Sequence, residues 1–203
     1  MVFMSGCASV FPGFNDGSTV GKTVAFEELM QEFDSCRGKG TIESGGMVKG
    51  KLNFEFTVAG PNGYIQFYDL LGRKTLFITL NNKSVTAWDM VRNERYDTSG
   101  IFSVLPFTQL ISPVEFFQVL WGSLPQSYND SVHDNDLRFE STSASISFNS
   151  RRTEYGPLLH KIVLESKEDN YRVTIDIKER EMNVSYPHLK RSIPDSVPFA
   201  VPA

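Results

Sequence analysis

Leu52, Phe54, Phe56 and Val58 alternate with Lys51, Asn53, Glu55 and Thr57, and this period of two most narrows what the chain can fold into. Such a segment has one apolar and one wetted face, so it belongs in an antiparallel sheet rather than a helix. The pattern recurs. Tyr64 to Tyr68, Lys74 to Leu80, Ser84 to Trp88 and Glu94 to Thr98 read as strands, with Pro61-Asn62-Gly63 and Asn81-Asn82 as turns. After a gap it resumes at Leu137 to Ser143, Ser145 to Asn149, His160 to Ser166 and Tyr171 to Glu179. In the last of these, Val173, Ile175 and Ile177 alternate with Thr174, Asp176 and Lys178. Short strands linked by turns at this spacing predict an all-β sandwich or barrel.

Two helices interrupt the series. Phe26, Leu29, Met30 and Phe33 fall on one stripe at helical spacing, which predicts a helix from about Val24 to Cys36, with Glu27 and Glu28 at its positive dipole end. Ser112-Pro113-Val114-Glu115 is a capping box with proline at the first helical position. Phe116, Phe117, Val119, Leu120 and Trp121 follow, and Gly122 stops the helix. Apolar around most of its circumference, this second helix must be buried against one face of the sheet, either as plain core or as a lid over a ligand. The 16 phenylalanines offer two readings of the same kind. They pack a large core, or they line an apolar cavity in a barrel that does not fill itself.

Composition excludes some classes of partner. Twenty Lys and Arg stand against 24 Asp and Glu, a net charge of −4, so no basic excess exists to hold a nucleic-acid backbone. No apolar run approaches the roughly 18 residues of a membrane-spanning helix, so any membrane attachment is expected to be covalent. Met4-Ser5-Gly6-Cys7 reads as a bacterial lipobox, whose cysteine becomes the lipidated first residue of the mature protein. Only six residues precede Cys7, too few for a basic region and about 7–15 apolar residues. Residues 1–7 are therefore expected to be the remnant of a signal peptide, its start either misplaced or trimmed; the other reading is an ordinary surface cysteine. Residues 8–23 have linker composition, and 24–203 form a single domain. Cys36 is the only other cysteine and is expected to be a buried thiol on the first helix.

A search for chemistry finds little. No nucleophile elbow, phosphate loop or zinc-binding His-Glu-x-x-His occurs, and Gly38-Lys39-Gly40 lacks the rest of a phosphate loop. His133, His160 and His188 are isolated, so neither enzyme chemistry, a cofactor nor a metal is expected. A different anomaly lies at Tyr64-Ile65-Gln66-Phe67-Tyr68-Asp69-Leu70-Leu71-Gly72-Arg73, where two adjacent leucines occupy a hairpin tip. Tips favour Gly, Asn, Asp and Pro. A leucine held in water forgoes on the order of 1.5–3 kcal/mol of burial, which is understandable where the tip meets a membrane or an acyl chain. Alternatively, one leucine folds back over the sheet edge or is an ordinary exposed residue.

The first helix, the Gly-rich entry to paired strands and the Leu-Gly at the hairpin resemble LolB, the outer-membrane receptor for lipoproteins. So do Leu105-Pro106, the hydrophobic helix ending in Trp121-Gly122-Ser123-Leu124-Pro125, and the Ile175 to Met182 strand before a Pro-rich tail. The resemblance covers roughly Val24 to Lys190. It implies an incompletely closed antiparallel β-barrel of the LolA/LolB kind, with the two helices lying over an apolar cavity for acyl chains. Phe54, Phe56, Ile65, Phe67, Phe116, Phe117, Leu120 and Trp121 are the candidate lining. By position, Leu71 matches the protruding leucine that inserts lipoproteins into the membrane, with Gly72 behind it; Leu70 stands where the family usually has proline. Cys7 matches the lipidated cysteine, and Ala8 is compatible with outer-membrane retention. The implied protein is a monomer anchored by lipid at the periplasmic face of the outer membrane, taking lipoprotein acyl chains from a LolA-like periplasmic carrier. The competing expectation keeps the cavity for another lipid or apolar ligand and drops the receptor role; a third is a structural lipoprotein with a filled core.

Overall fold

The computed structural model describes residues 23–46, 49–81, 84–129, 138–141, 143–168, 170–184 and 191–200. Among the described residues ten strands form one antiparallel sheet: β1 (Ser35–Gly46), β2 (Gly50–Ala59), β3 (Asn62–Tyr68), β4 (Lys74–Asn81), β5 (Val85–Asp89), β6 (Glu94–Tyr96), β7 (Arg138–Glu140), β8 (Ala144–Thr153), β9 (Gly156–Ser166) and β10 (Tyr171–Met182). Their spatial order is β6-β5-β4-β3-β2-β1-β10-β9-β8-β7. The chain thus makes two meanders, β1 to β6 and β7 to β10, which join where β10 pairs with β1. Among the described residues β6 and β7 do not pair with each other, so the barrel is incompletely closed, as the resemblance led one to expect; the alternation had pointed only to an all-β sandwich or barrel.

The inner face is built on a close approach between strands. Gly38 lies opposite Phe56 and Gly40 opposite Phe54 in the β1–β2 register. A Cβ on Gly38 would stand 2.3 Å from the Glu179 carbonyl oxygen and 2.5 Å from the Phe56 ring; on Gly40 it would stand 2.3 Å from the Asp176 oxygen and 2.6 Å from the Phe54 ring. These glycines are not the residue of a phosphate site. They are the floor on which two phenyl rings lie.

The first helix is shorter than its apolar stripe. α1 spans Phe26–Glu32, and Phe33 is already extended. Cys36 therefore sits on β1, not on the helix, although it is buried as expected. Pairing on both sides overrides the helical period here. Ser35 lies opposite Ala59 and Cys36 opposite Met182, while Gly60 N donates to Asp34 O and Asn183 N to Ser35 O. The downstream strands also differ in extent. The segment expected over Leu137 to Ser143 is described as a strand only at Arg138–Glu140, whereas β8 and β9 run on to a turn between Thr153 and Gly156. The chain from Glu94 leaves the sheet after Tyr96, because the Asp97 carboxylate accepts from the amides of Ser99 and Gly100 and folds a turn. Asn82 of the expected Asn81-Asn82 turn lies outside the described residues.

Between the meanders come two 3-10 turns, Ile101–Ser103 and Pro106–Gln109, then α2 (Pro113–Trp121) and a short α3 (Gln126–Asn129). The capping box of α2 is complete. Glu115 N donates to Ser112 Oγ at 3.2 Å, and Ser112 N donates to Glu115 Oε2 at 2.7 Å. Gly122 ends the helix at φ 101°, a conformation that suits glycine. α2 lies across the inner face against β1, β2 and β4. On the outer face, Ile193 and Val197 pack on Phe77, with Tyr64, Trp88 and Met90 around them. Segment 191–200 then runs beside β6: Arg95 N donates to Pro198 O at 2.7 Å and Ala200 N to Arg95 O at 2.8 Å.

Gly38→Ala is expected to lower stability by about 1–3 kcal/mol through overpacking. Gly45→Ala, where a Cβ meets nothing within 4 Å, is expected to change it by less than about 0.5 kcal/mol. Urea unfolding followed by circular dichroism checks both.

Candidate functional site

Of the sequence-predicted site residues that the structure describes, Leu70, Leu71 and Gly72 are the exposed ones. β3 ends at Tyr68 and β4 begins at Lys74, so residues 69–73 form the tip. Asp69 organises it. Its Oδ1 accepts from the amides of Leu71 and Arg73, each at 2.9 Å, and its Oδ2 accepts from Arg73 Nε at 2.6 Å. Asp69 N donates to Arg73 O and Gly72 N to Asp69 O, which closes the turn with Gly72 at φ 77°. The two leucines therefore project from a braced turn and do not fold back over the sheet edge: Leu70 is 72% exposed and Leu71 79%. The Arg73 amide, with the Arg73 guanidinium and the Leu71 amide, holds the Asp69 carboxyl below the usual carboxylate range.

The eight candidate lining residues come together in a single core. Phe54 and Phe56 of β2 and Ile65 and Phe67 of β3 face α2, which contributes Phe116, Phe117, Leu120 and Trp121. All eight are buried. Phe54 and Phe67 have ring centroids 5.8 Å apart, Phe117 meets Phe26 of α1 edge-on at 6.2 Å, and Phe116 meets Phe107 at 5.6 Å. Within this layer the indole Nε1 of Trp121 is buried with no hydrogen-bond partner among the described residues.

The alternation of β10 conceals one further residue. Strict period two would send Arg180 outward with Thr174, Asp176 and Lys178. The β1–β10 register slips between Lys39 and Gly40, so that Gly40 pairs with Ile177 and Lys39 with Glu179. The bulge reverses the faces beyond it, placing Arg180 opposite Gly38 and Met182 opposite Cys36. The Lys178 carbonyl at the bulge accepts from Arg151 Nη2 at 2.6 Å. Arg180 then donates to the carbonyls of Leu120 (3.0 Å) and Val119 (2.8 Å), a cation on the negative end of α2. Burial pulls the guanidinium down to about 10, which leaves it charged at neutral pH. Beside it, burial pushes the Cys36 thiol up to about 12 despite the neighbouring Arg180 charge, so this cysteine is a poor nucleophile. The bulge could not be inferred from periodicity, because an arginine three residues beyond Ile177 falls on the outward parity of the strand.

A groove of about 340 Å³ lies along Arg37, Lys39, Glu55, Tyr64, Glu179 and Arg191. Arg37 pairs with Glu181 at 2.7 Å and Lys39 with Glu179 at 2.8 Å, while Arg191 lies over the Tyr64 ring and Glu55 accepts from Tyr68 Oη. His160 is half-buried on β9, and burial keeps its imidazole below the ordinary range. His133, His188 and Cys7 lie outside the described residues. Among the described residues no helix is long and apolar enough to cross a membrane.

Lowering the pH is expected to loosen the tip before the core. A depressed carboxyl stabilises the folded turn fully above its unfolded pKa of about 3.9, and that support disappears as the pH falls through the lower folded value. The amide resonances of Leu71 and Arg73 should move with this titration, and Asp69→Ala should abolish their protection at neutral pH.

No protein-family model and no curated protein matches the sequence. Solved structures do resemble the chain. A DUF1329 family protein from Desulfovibrio piger superposes with a TM-score of 0.54 at 8% identity, over 79% of this chain and 93% of the other. A LolA superfamily protein from Nitrosomonas europaea gives a TM-score of 0.48 at 9% identity, over 86% and 97%. An uncharacterized conserved protein from Thermus thermophilus gives 0.45 at 9%, over 86% and 96%. At such low identity the likeness concerns architecture alone: this chain, an open antiparallel β-sheet with a helix buried on its inner face, shares the fold of the DUF1329 family protein.

Proposed function

We propose that this chain is a lipid-anchored receptor at the periplasmic face of the outer membrane, which accepts the acyl chains of lipoproteins and inserts them into that membrane. The observation that carries this reading is the braced tip with Leu70 and Leu71 in solvent. A turn that uses five hydrogen bonds to hold two leucines in water has a use for them outside the protein. The leucines penetrate lipid, where each recovers on the order of 1.5–3 kcal/mol.

The cargo's acyl chains occupy the layer between α2 and β2–β3, among Phe54, Phe56, Phe67, Phe116 and Phe117. Entry requires α2 to move off the sheet, since these side chains now touch one another. The unpartnered Trp121 Nε1 supports this placement, because an ester carbonyl entering there would accept its hydrogen bond. Transfer from a LolA-like carrier needs no covalent chemistry. Each buried methylene is worth about 0.8 kcal/mol, so an acyl chain moves to whichever apolar site fits it better. Cys7 carries the lipid anchor, and the chain works as a monomer.

Leu71→Glu is expected to leave the fold and acyl binding unchanged and to abolish insertion, read as a lipoprotein that stays off liposomes in a reconstituted transfer assay. Normal insertion by this variant would overturn the receptor reading; a co-purifying phospholipid with no transfer by the native chain would favour a carrier of another lipid. Labelled palmitate should enter the native gene product and be lost in Cys7→Ser.

A further inference from the structure

The β5–β6 turn repeats the architecture of the leucine tip. Asp89 Oδ1 accepts from the amides of Val91 (2.9 Å) and Arg92 (3.0 Å), as Asp69 Oδ1 accepts from those of Leu71 and Arg73. In both turns the aliphatic residue two positions after the aspartate points into water. Val91 is 75% exposed, and with Leu70 and Leu71 it completes the three most exposed large apolar residues described; the others range from 37% to 61%. These three are not scattered. Tyr68 pairs with Lys74, Leu76 with Asp89, and Met90 N donates to Thr75 O at 2.9 Å, so both turns emerge at the same end of the sheet, on either side of the start of β4. Two strand spacings separate them, about 10 Å.

The charges around the turns are arranged to suit an anionic surface. Asp69 and Asp89 are tucked under their turns with side chains 20% and 16% exposed, whereas their ion-pair partners Arg73 and Arg92 are 75% and 67% exposed. Lys74 adds an exposed cation between them. The carboxylates of Asp69 and Asp89 thus lie inward of their arginine partners, Glu94 is half-buried and accepts from Tyr96 Oη, and the groups held farthest into solvent are aliphatic and cationic.

We infer that Val91 and Arg92 form a second membrane contact, and that the β3–β4 and β5–β6 turns dock together on an anionic lipid bilayer. The inference rests on the membrane role of the leucine tip but adds a site to it. Two contacts about 10 Å apart define a line on the bilayer, which confines the tilt of the sheet to rocking about that line, where a single tip would let it pivot in every direction.

The test uses the full chain with Cys7→Ser, which leaves only the unreactive Cys36, and an environment-sensitive fluorophore attached in turn at Leu71→Cys, Val91→Cys and Asn62→Cys. Asn62 is exposed at the opposite end of the sheet. With vesicles of phosphatidylethanolamine and phosphatidylglycerol, the probe at 91 should brighten and shift to the blue as the probe at 71 does, and the probe at 62 should not change. A response at 71 alone overturns the second contact and leaves the leucine tip standing. A response at 91 alone upholds the second contact and removes the role given to Leu71. Silence at both, or an equal response at 62, overturns both. Val91→Asp should in addition weaken vesicle partitioning by roughly tenfold with an unchanged circular dichroism spectrum; unaltered partitioning would count against the inference.

Discussion

The rest of the molecule depends on two phenyl rings lying on bare backbone. Because Gly38 and Gly40 have no side chains, the rings of Phe56 and Phe54 cover β1, and the inner face over that strand is one ring thick. That leaves room for α2 on the same face. The β1–β10 bulge adjoins the same glycines and turns Arg180 inward, where it finds the carbonyl end of α2. Hydrogen bonds from a charged donor are worth about 1.5–3 kcal/mol each, and here two of them fix the helix at the seam between the meanders. Cross-strand packing, a register slip and a helix terminus are therefore a single arrangement rather than three.

Much of this architecture was legible in the residues. The Leu52 to Val58 alternation became β2 with its apolar side inward, and Ser112 to Glu115 became the cap it spelled out, because both signals are local and the sheet reinforces them. The Leu70-Leu71 tip was readable for the opposite reason, as a violation of turn chemistry. The end of α1 was not readable, since the stripe through Phe33 is decided by strands whose partners lie far along the chain at Ala59 and Met182. Arg180 was hidden by the bulge, which changes parity without changing composition. Val91 was hidden by brevity: one exposed valine in a four-residue turn means nothing until the sheet sets it beside another tip.

The core and the tips follow different physical rules. In the core, aromatic side chains are held by mutual contact, and any cargo must compete with those contacts. At the tips, hydrogen bonds to an aspartate fix the backbone while the apolar side chains touch little. The ordering entropy of each turn is met on folding, so contact with a bilayer need not meet it again.

Segment 191–200 has a consequence for how the molecule behaves in a crowd of its own copies. An open sheet presents rows of unpaired backbone donors and acceptors at its margins, and β6 is one such margin. The bonds from Arg95 to Pro198 and from Ala200 to Arg95 occupy that row with a stretch whose prolines offer no amide to extend it further. The fold thereby keeps its curved, unclosed shape without leaving this margin as a template on which a neighbouring chain could add a strand.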